Sequence, residues 1–143
     1  MLTNITIGTL LILLTIAIHS EAMLFLLRMK GMRQRDLKHY PRRKKIYVVG
    51  SVIFLMLLIS VVEMACWAIA YLKIGAIEGA EAALYFSMVT FTTLGYGDIT
   101  LSEQWRLLSS IEAATGIIMF GWTIALVVAT VQRVYFSEKP IDS

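Results

Sequence analysis

At 143 residues, 58% hydrophobic and 16% charged, the chain is too apolar for an ordinary soluble domain, which is near half apolar and about a quarter charged. Its mean hydropathy of +0.74 points the same way. Net charge is only +3, yet nine of the thirteen Lys and Arg fall between Arg28 and Lys45, so the charge is segregated rather than spread. The single cysteine, Cys66, lies in an apolar run and excludes a disulfide framework within one chain. His19 and His39 have no nearby nucleophile, and no Cys/His spacing suits a metal. No enzyme chemistry and no cofactor are therefore expected.

Residues 5–27 form the first long apolar run, enough to cross a bilayer core of about 30 Å as a helix. A signal peptide is the competing reading, because Ser20-Glu21-Ala22 loosely resembles a cleavage site. The start Met-Leu-Thr-Asn carries no basic region, which favours a retained span. His19 and Glu21 sit in its second half, where ionisable groups are functional candidates or partners of a neighbouring helix. Asn4-Ile5-Thr6 matches a glycosylation sequon but lies too close to the span to carry weight.

The segment from Arg28 to Lys45, RMKGMRQRDLKHYPRRKK, is basic. Lys and Arg are retained on the cytoplasmic side, so this loop is expected inside, with Met1 outside and the C-terminus cytoplasmic, in the cell membrane. The basic residues are also candidates for contact with anionic lipid headgroups, at about 1 kcal/mol each near the surface. A nucleic-acid role does not suit a short basic segment held between two spans. Pro41 marks the break before the next helix.

The second span is predicted over 46–72, with Glu63 in its outer half and Trp67 and Tyr71 toward the outer interface. No span carries arginines at every third position, so no voltage-sensing helix is expected. Residues 73–81, KIGAIEGAE, suit an extracellular turret. Residues 82–92 are apolar and helix-compatible but too short to cross, a re-entrant pattern. Glu78 and Glu81 favour the positive end of that short helix, leaving its negative end pointing inward.

Then comes Thr92-Thr93-Leu94-Gly95-Tyr96-Gly97-Asp98. Backbone that turns all its carbonyls to one side must alternate between right- and left-handed dihedrals, and Gly95 and Gly97 reach positive φ without steric penalty. The stretch resembles the selectivity filter of the tetrameric potassium-channel family, and ALYFSMVTFTTLGYGD resembles that family's pore helix and filter along its whole length. The resemblance implies a homotetramer in which Thr93, Leu94, Gly95, Tyr96 and Gly97 bind dehydrated K+, the ion being coordinated at Thr93, Leu94, Gly95 and Tyr96. Thr92, Asp98 and Tyr85 would support the filter. Some members place a glutamate four residues before the filter threonine. That position here is Val89, so Asp98 needs another donor such as Tyr85.

The third span is predicted over 105–136. WRLLSSIEAATGIIMFGW resembles the family's inner helix, with Gly116 and Gly121 in its glycine region. Gly116 reads as a hinge or a close contact. Gly121, with Ala125 and Ala129, reads as a small-residue packing face. Given that register, Ile117, Phe120, Ile124 and Val128 would line a cavity below the filter, an apolar lining able to gate by dewetting. Glu63 and Glu112, carboxylates at membrane depth, are candidates for protonation-linked gating.

The expected architecture is an all-α membrane protein. Each subunit has three transmembrane helices plus a re-entrant pore helix and filter loop, about 79–99, and four subunits assemble. Residues 1–45 form an extra first helix and basic loop, and 46–143 a two-helix pore domain with a short tail. The expected function is a potassium-selective channel. A weakly selective cation channel, or the pore subunit of a potassium uptake complex, are the alternatives.

Overall fold

The computed structural model describes residues 1–29 and 41–136. Among them are four helices and no strand: α1 (Leu2–Met29), α2 (Arg42–Lys73), α3 (Ala80–Phe91) and α4 (Arg106–Tyr135). Three of these, α1, α2 and α4, are long and apolar enough to cross a membrane, and α3 is not. The centre of the basic segment, with His39, lies outside the described residues.

Helix boundaries follow local chemistry. Pro41 sits at the N-cap of α2 in extended conformation, where its missing N–H sacrifices no helical hydrogen bond and the helix cannot extend back through it. The helix therefore begins at Arg42, four residues ahead of the apolar run, and carries its basic residues into the first turn. At the other end Gly75, at φ 66°, lets the chain turn out. Its N–H donates to the Leu72 carbonyl at 3.1 Å and the Ala76 N–H to the Tyr71 carbonyl at 2.9 Å, the paired bonds of a Schellman ending. Gly79, at φ 89°, then starts α3, with Glu81 in its first turn.

Polar and small-residue contacts join the helices alongside apolar packing, since lipid tails are as apolar as leucine and burial alone gives little drive to associate. The helix α1 lies against both α2 and α4. Near its start the Asn4 side-chain amide donates to the Gln104 carbonyl at 2.7 Å, which commits the sequon nitrogen to an internal bond. Gly8 meets the Ile111 side chain. Midway, the Trp67 indole N–H donates to the Thr15 hydroxyl at 3.3 Å. Lower still, His19 Nδ1 lies 2.9 Å from Glu63 Oε1, both fully buried. His19 also stacks obliquely on Trp122, with ring centroids 5.1 Å apart, and its Nε2 lies 3.4 Å from the Thr123 hydroxyl. Glu21 is on the exposed side of α1.

The short helix α3 is wedged between α2 and α4. Trp67, Tyr71, Phe86, Phe91, Leu108 and Met119 form the core around it. Tyr71 meets Phe86 edge-on at 5.2 Å, and Phe91 meets Phe120 likewise at 5.8 Å, the offset geometry that ring quadrupoles favour.

Candidate functional site

The site is built on the C-terminal end of α3 and the chain that leaves it. Thr92 ends the helix, its hydroxyl donating to the Met88 carbonyl at 2.6 Å. The backbone then reverses on itself. The Thr93 N–H donates to the Thr90 carbonyl at 2.9 Å. Those of Leu94 and Gly95 both donate to the Val89 carbonyl, at 2.9 and 3.2 Å. These amides point at α3. None of the carbonyl oxygens of 93–97 accepts a backbone hydrogen bond among the described residues.

Positive φ occurs at alternate residues through this run: Thr93 at 60°, Gly95 at 58° and Gly97 at 79°. An ordinary extended strand throws successive carbonyls to opposite sides, whereas left-handed residues at every second position return them to one. Glycine adopts that conformation freely. Thr93 does not, because a β-branched residue at positive φ is a strained outlier, costing about 1–3 kcal/mol. Sequence reasoning anticipated the two glycines and missed the threonine, since nothing in a Thr-Thr pair announces a left-handed residue.

After Gly97 the chain runs back along α3. The Tyr85 hydroxyl donates to Asp98 Oδ2 at 2.7 Å, joining residues thirteen apart and bringing the loop back alongside the middle of α3. This bond, ahead of the other influences on it, holds the Asp98 carboxyl below its ordinary range. Residues 93–98 are exposed on the single chain.

Gly116 of α4 passes under the end of α3. A Cβ built there would sit 1.9 Å from the Phe91 carbonyl oxygen, so no side chain fits and the helices touch backbone to backbone. Gly121 is different. It is exposed, with nothing within 4 Å of a Cβ, so within the chain the close approach falls at Gly116 and not at Gly121. Ile117, Ile124 and Val128 make an exposed stripe on α4, while Phe120 is partly covered by Phe91.

The two buried carboxylates occupy separate places. Glu63 pairs with His19. Glu112 accepts from the Tyr71 hydroxyl at 2.6 Å and meets the hydroxyl of Ser87, which also lies 2.8 Å from the Met64 carbonyl. The partners Ser87, Tyr71, Thr123 and His19 were not assigned from sequence. The signal available was that a buried carboxylate at membrane depth demands partners, but which helix face supplies them depends on how the helices pack.

Three apolar spans and a short helix whose loop turns back alongside it define a multi-pass membrane protein with a pore-loop architecture. The family model for ion channels matches residues 52–133, more than half of the chain. The chain belongs to that ion-channel family. The match runs from the eleventh residue of α2 to two residues short of the end of α4, and leaves α1 outside. Comparison with the curated proteins and with solved structures finds no match.

Proposed function

We propose that this ion channel is selective for potassium and works as a homotetramer, with residues 93–97 of four copies enclosing one axial path. The observation that carries the reading is positive φ at 93, 95 and 97, combined with amides bonded back to α3. That pairing frees the carbonyls of Thr93, Leu94, Gly95 and Tyr96 to replace the water around a dehydrated cation. Conduction needs each site to hold the ion firmly enough to admit it and loosely enough to release it. Symmetry supplies the rest, because one strand forms only a quarter of a ring.

In this reading Thr92 and the Tyr85–Asp98 pair brace the filter from behind. The negative end of α3 favours a cation below it. Ile117, Phe120, Ile124 and Val128 line the inner cavity, Gly116 sets the approach of α4 to the filter and is the candidate hinge, and Glu63 and Glu112 are candidates for coupling protons to opening. The basic residues between Arg28 and Lys45 face the cytoplasm and anionic headgroups.

Reversal potentials of the reconstituted protein in mixed potassium and sodium test the proposal. A reversal potential that follows the potassium gradient supports it. Equal permeation of sodium would leave a weakly selective cation pore, and flux appearing only with an added partner would leave a transporter subunit.

A further inference from the structure

Two carboxylates are fully buried among the helices, and only one of them faces a potential cation. Glu63 lies against His19, whereas among the described residues no Lys, Arg or His comes within ion-pair distance of Glu112. What surrounds Glu112 is a string of oxygens. Tyr71 on α2 touches its Oε2 at 2.6 Å, Ser87 on α3 touches its Oε1, and Ser87 in turn lies 2.8 Å from the Met64 carbonyl of α2.

Each of these three short oxygen–oxygen contacts needs one proton between its atoms. Tyr71 supplies one and Ser87 supplies one. The Met64 carbonyl can only accept, so the single Ser87 proton cannot serve both the carbonyl and an ionised Glu112. If Glu112 were ionised, one close pair of oxygens would face each other lone pair to lone pair, and a charge would sit buried without a counter-ion, a costly arrangement. With a proton on Oε1 every contact is satisfied. Glu112 then donates to Ser87, Ser87 donates to Met64, and Tyr71 donates to Oε2.

We infer that Glu112 is a neutral carboxylic acid whose proton completes a hydrogen-bond chain from α4 through α3 to two points on α2, making it a positioning residue for the pore helix. Ser87 stands just ahead of Val89 and Thr90, whose carbonyls hold the amides of 93–95. Fixing Ser87 on both sides therefore fixes the depth and rotation of the helix from which that run hangs. From α1, Gly8 lies against Leu108 and Ile111, and Ile7, Leu11 and Ile12 pack against the same cluster, none of them titratable. The consequence for ion selection rests on the potassium-channel reading above, and the protonation of Glu112 does not.

Infrared spectra of the purified full chain, wild type minus Glu112→Gln at neutral pH, test the protonation. The carbonyl stretch of a protonated carboxylic acid is expected in wild type and lost in the variant. A difference spectrum showing only carboxylate bands overturns the inference. Glutamine offers one N–H to Ser87 and one carbonyl to Tyr71, so E112Q is expected to keep the wild-type potassium-to-sodium permeability ratio, while Ser87→Ala and Glu112→Leu lose it. E112Q losing selectivity as fully as E112L overturns the positioning role. A wild-type protein that conducts no potassium defeats the proposed function and still leaves the infrared band to decide the protonation.

Discussion

Replacing Gly116 with alanine separates two accounts of the same residue. A Cβ at 116 would lie 1.9 Å from the Phe91 carbonyl oxygen and 2.8 Å from its carbon, where real Cβ contacts essentially never fall under 3.0 Å. Both atoms are backbone, so no rotamer change relieves the overlap, and α4 must draw back from the end of α3 by about 1 Å. Overpacking of this kind costs about 3 kcal/mol or more at its upper end. Alanine returns about 1 kcal/mol through its better helix propensity, leaving a net loss of about 2 kcal/mol per protomer. The displacement also falls one residue before Thr92, so the loop at 93–97 loses its seat. Thermal unfolding in detergent, followed alongside potassium flux in liposomes, gives the measurement. G116A is expected to melt earlier and to conduct poorly. A pure hinge would also conduct poorly, because alanine would stiffen α4 and reduce opening, but would leave the melting temperature unchanged or higher. That result would refute the close-contact argument.

Further outcomes follow from other contacts. Gly95→Ala and Gly97→Ala should each cost about 1–2 kcal/mol from placing a Cβ at left-handed φ and abolish flux, with helical circular dichroism preserved. Tyr85→Phe removes the hydroxyl that chiefly holds Asp98 below its ordinary range. A carboxylate with a lowered folded value keeps its contribution until the pH falls through that value. The acid limb of the flux–pH curve should therefore shift to higher pH in Y85F, and an unmoved limb would sever the bond from the behaviour of the 93–98 loop. Histidine 19 to leucine strands Glu63, whose Oε2 has no hydrogen-bond partner among the described residues even now. Loss of one partner of a buried pair costs about 3–5 kcal/mol, seen as a lowered melting temperature, and the double variant His19→Leu/Glu63→Leu should recover most of it.

The sequence by itself determined what period, length and glycine placement determine. Three apolar runs had to be helices, because in lipid each backbone N–H and C=O needs a partner from its own segment. The α3 stretch was too short to cross, and Gly95 and Gly97 marked where the backbone could turn left-handed. The run of identities from Ala83 to Asp98 carried the family, and the ion-channel match agrees with it. Boundaries shifted by a few residues where capping outranked hydropathy, as at Pro41.

Only the tertiary structure decided the pairings. His19 and Glu63 are 44 residues apart and on different helices, and Glu112 meets Tyr71 and Ser87 across 41 and 25 residues. No periodicity encodes such meetings, because each depends on the rotation of one helix about its axis relative to another. The same holds for Gly116 and Gly121, which look alike in sequence. One touches a carbonyl and the other touches nothing within the chain, a difference set by which side of α4 the end of α3 happens to meet.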